Sequence, residues 1–254
     1  MTAVFIFCHQ DDEFGVFHEI AKAVENKQSI AIFYLTDGAY QGASAPLRNA
    51  ESLAVLSQLG VKREQVCFVG EQCGIANQQL HMHLSEAYRA VAVQLSAMPH
   101  IDRIYSLAWE GGHPDHDAAF ILALRLAQER GATLYQFPLY NAYNARLLPF
   151  AFMRPVAENG QIQYLPVPVG RWLRYVRYFC AYPSQWKTWL VLLPFFVWHH
   201  AMGKGQILQH SPAEVVLRRP HAGPLLYEKR GWMTFEVFYS AVRPFVAEFN
   251  RPPI

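Results

Sequence analysis

The sequence predicts an α/β protein: a Rossmann-like, mainly parallel sheet flanked by helices. Three observations carry this. Short runs rich in Val, Ile, Phe and Tyr alternate with longer stretches of helical periodicity. Glycine closes two of those stretches, at Gly60 and Gly131. Polar clusters fall where the apolar runs end, which is where open parallel sheets bind ligands.

The opening strand is expected over 4–8. MTAVFIF has no basic leader and turns polar after eight positions, too early for a secretory signal. Four more strands are expected over 30–35, 65–69, 103–107 and 133–137. Helices are expected over 13–25, 47–59, 80–97 and 117–128, each with apolar residues three and four apart. The strand ends then open into loops 9–15, 36–46, 70–79 and 108–116. Beyond Phe137 the pattern degrades, with prolines at 138, 149, 155, 166 and 168 and many aromatics. We read residues 1–140 as the core and 141–254 as an elaborated, aromatic-rich C-terminal part of one domain.

Twenty-two basic residues against twenty acidic ones exclude a nucleic-acid footprint spread over the whole surface. Four scattered cysteines, two of them in strand-like runs, fit a reducing cytoplasm. The segment 171–204 is strongly aromatic, with basic flanks and two internal prolines. Its uncharged part, 188–202, falls short of the roughly 20 apolar residues that span a bilayer. It reads as core packing; the alternative is an aromatic-basic surface resting peripherally on the inner face of a membrane.

The stretch HQDDE places His9 and Asp12 three residues apart at a strand end. That spacing turns both side chains toward one point, and Asp11 between them is free to accept a proton. Taken alone, the stretch reads equally as a capped helix start. A second strand-end cluster, WEGGHPDHD, sets His113 and His116 side by side with Asp115 between them, after two glycines that clear space. Together the clusters make a His/Asp/His metal set with spare acid and base groups. Imidazole and carboxylate ligands without thiolate fit zinc, with another divalent metal as the alternative. Zinc with an open position holds a water whose pKa falls to roughly 7, which is hydrolase chemistry.

HQDDE at 9–13, TDG at 36–38, RxxE at 48–51 and HPDH at 113–116 resemble the PIG-L or LmbE-like family of zinc-dependent N-acetylglucosaminyl de-N-acetylases, with a fainter echo in the SQ pair at 184–185. The resemblance covers about the first 140 residues. It implies metal ligands His9, Asp12 and His116, with Asp11 as general base. It implies a protonated His113 that stabilises the oxyanion or protonates the leaving amine, and an Asp115 that tunes the adjacent imidazole. Arg48 matches a sugar contact. Gln10 departs from the family's usual proline, which alters the loop without removing a ligand. Asp37 is a turn residue beside the site with a further reading as a substrate contact, and Trp109 and Glu110 are expected to shape the substrate pocket. The pairs His81/His83 and His199/His200 are read as surface histidines.

The activity implied is removal of an N-acetyl group from a GlcNAc-type moiety of a glycan, glycolipid or small conjugate, the glycolipid form making the partner a lipid-linked sugar. Two alternatives stay open: a catalytically silent sugar-binding or assembly protein of the same fold, and an amidase acting on a larger acyl or conjugate amide.

Overall fold

The computed structural model describes residues 1–40, 42–98, 100–145 and 148–250. Strands β1 (Thr2–Phe7), β2 (Ser29–Tyr34), β3 (Val66–Phe68), β4 (Arg103–Leu107) and β5 (Thr133–Phe137) form where the β-branched and aromatic runs lie. They pair in parallel in the order β3-β2-β1-β4-β5. Their side chains are buried on both faces, as expected of a parallel sheet covered by helices.

The chain moves from β1 outward through β2 to β3, then returns to place β4 on the other side of β1. The strand order therefore reverses between β1 and β4. That is the switch point at which open α/β sheets form a crevice. HQDDE follows β1 and HPDH follows β4, so both polar clusters lie at the lip of this crevice.

The helices on the first half are α1 (Phe17–Glu25), α2 (Ala45–Gln58), the short α3 (Val69–Cys73), α4 (Leu84–Ser96) and α5 (Pro114–Arg130). Two expected helices begin later than their periodicity suggested. Asp12–Val16 and Leu80–Met82 are 3-10 turns: the Asp12 carboxylate accepts from the backbone at the end of β1, and the Leu80 N–H donates to the Asp115 carboxylate. α5 begins three residues earlier than expected, with Pro114 in its first turn, and is buried on all sides from Pro114 to Leu124.

The second half, read from the sequence as an elaboration, adds two strands to the sheet. After a two-residue ladder of β6 (Tyr140–Asn141) with β7 (Ala151–Phe152), strands β8 (Gln161–Leu165) and β9 (Gln206–His210) extend it antiparallel beyond β5. Their glutamines disguised them as loop. Gln209 is buried in the join between strands, where its amide oxygen accepts from Gln136 at 3.2 Å. Helices α6 (Val169–Tyr178) and α7 (Trp186–Ala201) lie between these two strands, and α8 (Leu226–Lys229) and α9 (Phe235–Ala247) close the chain over α5.

One carboxylate braces the crevice from behind. Glu110, in the turn after β4, accepts N–H bonds from Leu139 (2.9 Å), Tyr140 (3.0 Å) and the Asn141 amide (2.7 Å). Gly112 lets the two segments approach, since a Cβ there would sit 2.0 Å from the Tyr140 carbonyl oxygen. Burial pushes the Glu110 pKa up to about 7, against the three N–H donors that favour the carboxylate.

A carboxyl whose pKa is raised on folding holds its proton more tightly in the native state, so its contribution to stability is full below about pH 4.5 and is lost as pH rises toward 7. The stability difference between wild type and Glu110→Gln, measured by urea unfolding, is expected to fall by on the order of 3 kcal/mol across that window. A flat difference would show that the group titrates normally.

Candidate active site

Asp12 turns back onto the end of β1, its Oδ2 accepting the N–H groups of Cys8 (3.0 Å) and His9 (2.8 Å). Its Oδ1 lies 3.3 Å from Nε2 of His116. Nε2 of His9 is 3.1 Å from Oδ2 of Asp115, which leaves Nδ1 of His9 facing Asp12 at 3.6 Å. One ring nitrogen from each of His9, His113 and His116 falls within 4.8 Å of the others.

His116 has no exposed surface, and neither of its ring nitrogens has a hydrogen-bond partner. A buried imidazole without partners is costly unless something else satisfies it. Burial disfavours the charged form of both His9 and Asp12. It is outweighed: Asp12 and Asp115 raise His9 to about 10, while His116 and His9 hold Asp12 well below the usual carboxylate range. This pocket stabilises positive charge, and a divalent cation on His9, Asp12 and His116 would take the place of the His9 proton. The donor set fits a metal; His113 is a further nitrogen within reach of the same point.

His113 caps α5, its Nδ1 accepting the Asp115 N–H at 3.1 Å. Burial first, and then the neighbouring His9, hold its pKa well below that of a free imidazole. That direction favours the neutral ring over the imidazolium that the family resemblance implies. With Nδ1 accepting, the proton sits on Nε2 and can be donated. Asp115 likewise departs from expectation, lying nearer to His9 across the crevice (3.1 Å) than to its neighbour His113 (3.8 Å).

Asp11 has φ 150°, a backbone conformation that side-chain-bearing residues rarely adopt. Burial raises its pKa to about 7, although Arg48 opposes this. The Arg48 guanidinium is itself buried. It donates to Asp11 Oδ1 (3.0 Å), to the Gln10 carbonyl (2.7 Å) and to the Gly38 carbonyl. Arg48 borders the cavity, with much of its donor capacity committed to positioning Asp11. Its helical neighbour Glu51 turns away and accepts from the Ser184 N–H (2.8 Å) and hydroxyl (2.5 Å). The RxxE and SQ motifs are thus two ends of one contact.

These groups open onto a cavity of about 410 Å³, whose polar wall is His9, Asp11, Asp12 and His113. Phe14, Phe150, Val191 and Leu192 form an apolar wall, and Arg230 and Trp232 stand at another side. Three expected pocket residues lie elsewhere. Trp109 is fully buried against Phe120 and Phe238, and Glu110 is the brace described above. Asp37 shapes its turn, accepting the N–H groups of Ala39 (3.0 Å) and Asn77 (3.1 Å). In their place the cavity takes Asn77, Gln78, Gln185, Arg230 and Trp232, of which only Gln185 had a signal, in the SQ pair. His81, His199 and His200 are buried rather than at the surface, packed on Phe238, Phe152 and Trp172.

No curated protein matches the sequence. Among solved structures, the chain is similar to the zinc-inhibited form of teicoplanin deacetylase Orf2, with TM-score 0.64 and 15% identity over 82% of this chain and 97% of that one. The A40926 pseudoaglycone deacetylase Dbv21 gives TM-score 0.62 and 18% identity over 87% and 98%. The N,N'-diacetylchitobiose deacetylase from Pyrococcus horikoshii gives 0.54 and 14% over 83% and 82%. At such identities these likenesses speak for the fold. The sequence pattern of the PIG-L family, described as GlcNAc-PI de-N-acetylase, matches residues 4–127, the span that holds both polar clusters and Arg48. The match to the PIG-L family thus covers residues 4–127, just under half of this chain.

Proposed function

We propose that the chain is a metal-dependent hydrolase that removes the N-acetyl group from a GlcNAc-type sugar, releasing acetate and a free amine. The convergence of His9, His113 and His116, with Asp12 against His9 and His116 and with Asp11 held by Arg48, is the observation that carries this reading. The family match and the deacetylase names of the structural neighbours support it.

In this reading His9, Asp12 and His116 hold a divalent ion, with zinc first among candidates. Such an ion supplies Lewis acidity and lowers the pKa of a water toward neutrality. Asp11 takes the proton of the water that adds to the acetamide carbonyl. Arg48 keeps the Asp11 carboxylate aimed at the cavity. Nε2–H of His113 donates to the developing oxyanion, and collapse breaks the C–N bond as the proton held by Asp11 passes to the leaving nitrogen. Asp115 fixes the His9 ring so that Nδ1 faces the cation.

One rival reading has a specific observation in its favour. The wall of Phe14, Phe150, Val191 and Leu192 offers apolar surface that an acetyl group does not need, which suits a longer acyl chain.

Elemental analysis of protein purified without chelator is expected to find about one divalent metal ion per wild-type chain and little in His116→Ala. Absence of metal from both, even after reconstitution, would remove the hydrolase reading. Asp11→Asn is expected to keep the metal while turnover falls about 10³-fold, the range for losing a general base; unimpaired turnover would assign the base elsewhere. Matched N-acetyl and N-octanoyl glucosaminides separate the two readings. Faster release of acetate supports the deacetylase, and preference for the long chain replaces it with the amidase.

A further inference from the structure

Helix α7 is apolar nearly all round, with Lys187, Thr188, His199 and His200 its only polar side chains. Its inner face packs into the core: Trp189 and Phe196 meet Phe14 and Phe179 with ring centroids 4.4 to 6.4 Å apart. The expectation of core packing describes this half of the helix. The outer half is bare. Trp186, Leu190 and Trp198 are 57%, 66% and 65% exposed, and Leu190, Pro194, Val197 and Trp198 border a shallow apolar depression. At 100° per residue, Trp186, Leu190, Pro194 and Val197 share one side of the helix. An ordinary surface helix carries charges on that side.

The segment that carries α7 holds charge of one sign, and the carboxylate that meets it at Arg171, Glu25 at 3.0 Å, comes from α1. Residues 159–213 contain no Asp or Glu, yet include Arg171, Arg174, Arg177, Lys187 and Lys204, of which all but Arg171 are exposed. A second copy of the chain docked on this face would set the exposed Lys187 against its equivalent, with no carboxylate from the same segment to compensate. A surface that presents hydrocarbon and negative charge together matches both features. Sixteen residues make a helix about 24 Å long, short of the roughly 30 Å hydrocarbon core. Among the described residues no helix is long and apolar enough to cross a membrane.

The face is also continuous with the cavity. Thr188, Val191 and Leu192, on the adjoining edge of the same helix, line it, and Val191 is exposed as well.

We propose that the outer face of α7 docks on the surface of an anionic phospholipid bilayer, with Trp186 and Trp198 at headgroup depth and the mouth of the cavity beside the lipid. The cavity would then receive a sugar presented at that surface. This last consequence rests on the deacetylase reading, whereas the docking itself does not.

The test is cosedimentation of the full chain with vesicles of phosphatidylcholine alone or mixed with phosphatidylglycerol, wild type beside the double variant Leu190→Asp, Trp198→Asp. Wild type is expected to bind the anionic vesicles and to release at high salt. The double variant is expected to bind about tenfold more weakly or worse, because aspartate opposes both apolar insertion and the anionic surface. Its thermal unfolding and its turnover of a water-soluble acetylated glucosaminide are expected to match wild type, since neither residue lines the cavity. Equal binding by the two proteins, or none by either, overturns the proposal. So does a wild-type dimer on sizing that the variant disperses, which would make the face a self-interface. Vesicle binding that responds to the substitutions while neither protein turns over substrate leaves the docking standing and removes the deacetylase reading alone.

Discussion

The carboxylate of Asp115 is the constraint on which the site depends. It has no exposed surface, and it is satisfied from three directions: the Leu80 N–H at 3.1 Å, the Gln78 N–H at 2.6 Å and the His9 ring at 3.1 Å. Its own N–H goes to His113 and its carbonyl accepts the Cys8 thiol at 2.9 Å. One residue thereby ties the end of β1, the stretch before α4 and the start of α5 into a single unit. A buried carboxylate is tolerable only with such donors, so the loops cannot drift apart without exposing its cost. The orientation of His9, and through it the spacing to Asp12, follows.

The N-terminal half supplies the polar chemistry, and the C-terminal half supplies the wall opposite it. Two contacts join them at the motifs themselves. Glu13, the last residue of HQDDE, accepts the Tyr182 hydroxyl at 2.7 Å, and Glu51 accepts Ser184. Between those anchors and α7 the aromatic segment is held in place against Phe14. Substrate selectivity would then vary with the aromatic segment while the polar groups stay as they are.

Much of this was legible in the sequence. The five parallel strands announced themselves because both faces are buried and the runs are uninterrupted, and the two clusters because no core needs so many charges at a strand end. What was hidden has physical causes. β8 and β9 alternate glutamines with apolar residues, and burial of Gln136 and Gln209 depends on each other, which a one-dimensional pattern cannot express. Trp109 and Glu110 sit next to HPDH in sequence, but the left-handed turn at Gly111 sends them into the core. Arg230 and Trp232 reach the cavity from a turn after α8 that carries no periodic signal.

The backbone of Asp11 has a last implication. A residue at φ 150° is strained by about 1–3 kcal/mol, and here the Arg48 guanidinium, bridging its carboxylate and two neighbouring carbonyls, keeps the strained form in place. Glycine would relax the backbone there but would leave the buried Arg48 guanidinium without its carboxylate, so strain and ion pair hold each other in place at the point where the chemistry sits. A population of variants selected only for heat resistance would have to change positions 11 and 48 together, and would become inert as it became sturdier.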